Sequence, residues 1–254
     1  MKRALAWAIV TLAVAVARAH AQHAVQPERP TVATHAGTVA RGWFEIETGI
    51  ERDQLDGATS LLTPTLLKFG IGSHQQLSIA GSVPESDSSA FGIGDLAVGI
   101  KWRLLDDAPI VGAFAILPAI KFPTGSANQG RGTGTTDGSL LLISSHQLGA
   151  VAMDLNVGYT RRSGNGSEAP VNATLWTASF GGPIVSWLGW TAELYGYPRT
   201  TGPAGQSSIA AILAGPTFLI REWLAADAGV IVPVTGPQPH ALYAGGVWNV
   251  GKLW

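Results

Sequence analysis

The residues able to do chemistry in this chain are few and scattered. Ser144-Ser145-His146 sets hydroxyls beside a histidine, the residue types of a nucleophile and its base, but without the third, orienting group that such catalysis wants. His74, His146 and His240 all fall in predicted connections and read as polar turn residues. Spacing for metal ligation such as His-x3-His does not occur, and with no cysteine there is neither a thiolate ligand nor a thiol nucleophile. Neither a cofactor nor a metal is expected. Pro123 to Thr136, PTGSANQGRGTGTT, is the longest glycine-rich connection and holds Arg131. A phosphate-binding reading of its glycines fails, because no Lys-Ser/Thr pair follows and no helix start is evident.

A second group of polar residues stands out by position. Glu45, Glu47, Lys68, Asp95, Lys101, Arg103, Lys121, Asp154, Glu193 and Asp227 each interrupt an apolar alternation at every second residue. Phe44, Ile46, Thr48 and Ile50 share one face while Glu45, Glu47 and Glu51 share the other. Leu96, Val98, Ile100, Trp102 and Leu104 separate likewise from Asp95, Ala97, Gly99, Lys101 and Arg103. In the same way Val151, Met153, Leu155, Val157 and Tyr159 separate from Ala152, Asp154, Asn156, Gly158 and Thr160. A period of two is the mark of strands between an apolar and a wet environment. Leu140 to Ile143 runs apolar without a break, and its facing is open.

The elements that carry these residues are strands near 41–51, 61–70, 76–83, 93–104, 110–122, 137–145, 150–161, 171–181, 186–197, 207–219, 223–232 and 241–254. Tight links at Gly70 to Gln75, Asp106 to Pro109, His146 to Gly149, Gly182-Pro183 and Arg221-Glu222 alternate with longer ones at 84–92, 123–136, 162–170 and 198–206. Alternating short turns and long loops is the habit of a membrane barrel with both termini on one side. Trp43, Trp102, Trp187, Trp190, Trp223 and Trp254 gather near the short turns, and Tyr159, Tyr195, Tyr197 and Tyr243 toward the long loops, as two interfacial girdles would require.

Composition agrees. Charged residues are 13% and hydrophobic ones 46%, with mean hydropathy +0.22; a soluble secreted domain carries about 25% charge. A soluble β-sandwich with core aromatics is the rival fold. Lys2 and Arg3, the apolar run Leu5 to Ala17 and the small residues of Ala19-His20-Ala21 predict a signal peptide over 1–21, cleaved after Ala21. Its loss removes Lys2, Arg3 and Arg18 and leaves a net-acidic mature chain with no case for nucleic acid. Residues 22–40 are polar, hold two prolines, show no period, and read as a flexible leader. The fold class expected over 41–254 is therefore all-β, a closed antiparallel transmembrane β-barrel of about twelve strands.

From Gly92-Ile93-Gly94-Asp95-Leu96-Ala97-Val98-Gly99-Ile100-Lys101-Trp102-Arg103-Leu104 onward the chain resembles the outer-membrane proteins grouped under the MetA pathway of phenol degradation. The resemblance continues through Lys121-Phe122-Pro123-Thr124-Gly125, Gly132 to Asp137, Asp154 to Tyr159 and Ala192 to Gly196, and so covers most of the mature chain. It implies an outer-membrane barrel associated with uptake of apolar or aromatic compounds. The amphipathic last strand ending on Trp254 resembles the pattern read by outer-membrane assembly machinery, although Lys252 breaks its apolar face.

Three functions are open on these residues: a channel or transporter for small apolar or aromatic solutes, a structural or adhesive barrel that carries nothing, and a membrane-embedded hydrolase. The ten alternating charges are candidate lumen-lining groups, of both signs and able to pair across strands or to bias passing ions. Arg131 marks a candidate constriction loop if 123–136 folds inward, and an ordinary surface loop if it does not.

Overall fold

The computed structural model describes residues 23–86, 92–164, 170–198 and 207–254. The predicted signal peptide over 1–21 and the central parts of the connections at 84–92, 162–170 and 198–206 lie outside them. Twelve strands run β1 (Trp43–Leu55), β2 (Ala58–Gly70), β3 (Gln75–Ser86), β4 (Leu96–Ala108), β5 (Gly112–Phe122), β6 (Asp137–Leu148), β7 (Val151–Arg162), β8 (Asn172–Val185), β9 (Leu188–Tyr197), β10 (Ile209–Arg221), β11 (Leu224–Thr235) and β12 (His240–Lys252). Each pairs antiparallel with its sequence neighbours, and β12 returns to β1 to close the barrel. Closure pairs the backbone of every strand on both sides, which is what allows a sheet to stand in hydrocarbon.

The period of two sorts inside from outside. On β4, Leu96, Val98, Ile100, Trp102 and Leu104 are all on the outer surface, while Lys101 between them is fully buried. Leu155, Val157 and Tyr159 of β7 are likewise outward, and Asn156 is inward at 2% exposure. A belt of Leu, Ile, Val and aromatic side chains around a closed sheet is a lipid-facing wall. The chain is a closed barrel whose outer surface is built to meet lipid.

Several boundaries differ from the sequence reading. The turn between β1 and β2 is only Asp56-Gly57, both with positive φ, 49° and 83°, the conformation of the two-residue hairpin turn that Asp-Gly favours. The charged stretch 51–55 thus stays in strand, since polar residues above the lipid belt need not alternate. Gly182-Pro183 is no link, because β8 continues to Val185 and turns at Ser186-Trp187. Three of the four tyrosines are not girdle residues, for Tyr197 packs against the same inward cluster as Tyr195 and Tyr243. Tyr195 and Tyr243, 4% and 6% exposed, face inward and join Ala211, Leu213, Ile231 and Ala241 in an apolar cluster on β9 to β12.

The largest departure concerns the leader. Far from hanging loose, residues 23–40 lie inside the barrel. Their polar contacts reach β11 at Asp227, β9 at Glu193, β7 at Asn156, β6 at Ser145, β4 at Lys101, β3 at Gln76, β2 at Lys68 and β1 at Glu45 and Glu47. A segment that touches strands all around a closed sheet must occupy its lumen. It begins near the β10–β11 turn, where the Val25 amide donates to the Glu222 carbonyl, rises to mid-depth and comes back down to Gly42 beside Gly70. Ala33, Ala36 and Val39 are 2%, 0% and 1% exposed, as buried as any strand residue.

Candidate functional site

The leader has no strand partner, so its backbone groups need donors and acceptors from side chains. The wall supplies them. Glu45 accepts from the Gln26 amide at 2.9 Å, and Glu47 accepts from the amides of Glu28 and Arg29 at 2.8 and 2.9 Å. Glu193 takes the amides of Val32 and Ala33, both at 2.7 Å. Asn156 imitates a strand neighbour, accepting from the Thr34 amide at 2.8 Å and donating to the Thr34 carbonyl at 3.0 Å. Ser145 and Gln76 accept from the amides of Ala36 and Val39.

Nine of the ten predicted lumen charges divide into three groups by position, and the tenth, Asp154, accepts from Ser145 Oγ beside a cavity. Glu45, Glu47 and Lys68 form one buried cluster, with Lys68 Nζ paired to both carboxylates and donating to the Gln26 carbonyl. Lys101, also fully buried, donates to Glu28 Oε1 at 2.7 Å, Thr34 Oγ1 at 2.9 Å and the carbonyls of His35 and Gly37 at 2.9 and 3.2 Å. With Glu193 and Asp227 these residues grip the leader. They are not an open field over a water-filled pore, because each ion pair is enclosed and committed to a partner. Arg103 stands apart, paired with Asp106 at 2.9 Å near the short turns.

Asp95 and Lys121 belong to the opposite mouth. Lys121 Nζ donates to Asp95 Oδ2 at 2.7 Å and to the Thr135 carbonyl at 2.9 Å, and pairs with Asp137 at 3.1 Å. Asp95 also accepts from the amides of Gly125 and Thr133 at 3.1 and 2.9 Å. The 123–136 connection, with one 3-10 turn at Ala127–Gln129, is thereby tied down onto Asp95, just ahead of β4, and onto Lys121 of β5 and Asp137 of β6. Glycine is required at 132, where a Cβ would collide with the Asp95 carboxylate, and at 125, where it would meet the Arg131 carbonyl. Arg131 itself lies against Gly92.

The leader explains the apolar run at Leu140 to Ile143. Leu140 and Leu142 face outward, whereas Leu141 and Ile143 face inward, Ile143 at 0% exposure packed with Ala36 of the leader and Ala115 of β5. A strand between lipid and an apolar plug has no wet face to display. Sequence reasoning missed Gln76, Asn156 and Ser145 as leader contacts. Their polar type on the inward face of a strand was the only signal available.

Among the described residues, the Ser144-Ser145-His146 stretch does not assemble a triad. Ser144 Oγ lies 2.9 Å from His146 Nε2 on one face of β6, while Ser145 donates to Asp154 on the other. Alternation puts the wall between the histidine and the carboxylate.

Among the described residues, cavities lie on two sides of the leader. One of about 530 Å³ lies against the short-turn halves of β7 to β11, with Asp154, Ser179, Thr191 and Asp227 among its lining and Val25 and Pro27 on the leader side. The other, about 360 Å³, lies against β1 to β3, lined by Glu47, Glu51, Thr65 and Gly81. The residues common to both are Arg29, Pro30 and Thr31.

Among solved structures the chain is similar in fold to the COG4313 outer membrane channel from Pseudomonas putida F1, with a TM-score of 0.65 at 11% identity over 88% of this chain and 99% of that one. It is also similar to the NanC porin, TM-score 0.51 at 10% identity, and to the KdgM porin, 0.50 at 9%, each over 80% of this chain and 98% of the other. No curated protein matches it. The family model described as putative MetA-pathway of phenol degradation matches residues 27–238, a span that takes in most of the leader and eleven of the twelve strands, and the chain belongs to that family.

Proposed function

We propose that this protein is an outer-membrane channel for small apolar or aromatic compounds, closed down to a narrow route by its own leader, and that it is not an enzyme. The observation that carries the reading is the pair of cavities flanking the leader, each about the size of a small-molecule site. The larger is edged by Val25, Pro27, Leu219 and Val247 and floored by small residues such as Ala152, Gly181 and Ala225, a surface suited to a compact apolar solute. The family's description and the channels of like fold support the same class of function. Further partners in this reading are the lipid around the wall, the assembly machinery that engages the last strand through Trp254, and the solute.

The test compares lipopolysaccharide-containing vesicles with and without the refolded protein for initial uptake of labelled phenol, against a hydrophilic sugar of similar mass. Faster phenol uptake with little sugar uptake supports the reading. Equal uptake with and without protein leaves the structural or adhesive barrel. That alternative draws on the same leader, since a lumen so thoroughly bonded carries nothing unless the leader yields.

A further inference from the structure

Resting on the channel reading, we infer that the two cavities are successive halves of one solute route and that the Arg29 side chain is the partition between them, setting what passes. Three consecutive leader residues, Arg29 to Thr31, are all that the two cavities share. Of these only Arg29 has a side chain that reaches a dedicated seat in the wall.

That seat is built across three strands in one row. Gly49 of β1 pairs with Gly245 of β12, which pairs with Asp227 of β11. The guanidinium lies over the two glycines and makes a two-point contact with the third residue, Nε to Oδ2 at 3.2 Å and Nη2 to Oδ1 at 3.1 Å. A methyl at Gly245 would stand 2.5 Å from Nη2, and one at Gly49 would stand 2.6 Å from Nη2 and 2.5 Å from the Ala244 carbonyl oxygen, so a side chain at either position displaces the guanidinium. Both glycines lie mid-strand, where glycine weakens a sheet unless another group must approach closely. At Gly245 the approaching group is Arg29 alone, and at Gly49 it is Arg29 together with the Ala244 carbonyl.

The Arg29 seat differs from the rest of the leader's bonding. Lys68 and Lys101 are buried at 0% exposure, whereas the Arg29 side chain keeps 13% and borders both cavities. Two of its five N–H groups are used by Asp227, and the backbone amide of Arg29 is held separately by Glu47. The side chain can therefore leave its seat while the leader stays docked. When it does, the neighbouring glycines open a gap and Asp227 is uncovered beside it. The closed partition presents a guanidinium paired with a carboxylate, a locally neutral surface suited to small uncharged solutes.

The experiment measures single-channel conductance and reversal potential in a potassium chloride gradient. It uses the full protein, Arg29→Ala, Gly245→Val and a chain lacking residues 24–38. Arg29→Ala lies outside the barrel wall and leaves its folding intact; heat-dependent gel mobility checks the fold of Gly245→Val. Arg29→Ala and Gly245→Val are each expected to raise conductance several-fold over the full protein and to shift selectivity toward cations through the bared Asp227. Arg29→Ala with Asp227→Ala should keep the rise and lose the shift. A conducting leaderless barrel in which neither Arg29→Ala nor Gly245→Val changes conductance overturns the partition and leaves the channel reading standing. A leaderless barrel that does not conduct overturns the channel reading itself.

Discussion

Lys101→Met should undock the leader without harming the barrel. The side chain is fully buried and its ammonium holds four leader atoms, on Glu28, Thr34, His35 and Gly37. Methionine keeps the volume and removes the charge, so Glu28 loses its buried partner. Breaking a buried pair from one side costs about 3 to 5 kcal/mol, and the surviving hydrogen bond from Gln76 to Glu28 puts the expectation near the lower end. About 3 kcal/mol corresponds to roughly a hundredfold rise in the undocked fraction. The chain has no cysteine, which makes the readout clean. Ala33→Cys places a single thiol at a position 2% exposed, where alkylation proceeds only through the undocked state. In the Lys101→Met background its labelling should accelerate by about that factor, with heat-dependent gel mobility unchanged. Equal labelling rates in the two backgrounds would refute the role of Lys101 as an anchor.

Other predictions follow from the wall and the mouth. Val98, 37% exposed on the outer surface, should tolerate arginine worse than Ala97 on the inner face, by about 2 to 4 kcal/mol near mid-bilayer, visible as lost membrane assembly; the reverse ranking would invert the facing. Unheated protein should run differently from boiled protein on a detergent gel, because closure pairs the strands all round, and identical mobility would contradict a closed barrel. Asp95→Asn should loosen the 123–136 connection, since a neutral amide cannot accept from Lys121, Gly125 and Thr133 together. Faster proteolysis at that connection, with the barrel intact, is the expected outcome; protection equal to that of the unaltered protein would argue against the tie.

The sequence by itself determined the wall. Alternation at two residues is a local property, written wherever a strand has lipid on one side, and Leu96 to Leu104 or Val151 to Tyr159 display it without reference to the rest of the chain. The inward placement of Lys101 and Asn156 followed from the same parity. What no local pattern encodes is what stands against the inward face. The leader lacks a period because its bonds are made by backbone amides, which are the same in every residue type. Its partners lie as far away as Asp227, 198 positions from Arg29, and become neighbours only when β12 closes on β1. Leu140 to Ile143 was ambiguous for that reason, since Ile143 is apolar toward the lumen to meet Ala36 rather than water. Closure turned a row of lumen charges that suggested a wet pore into the set of clamps that fills it.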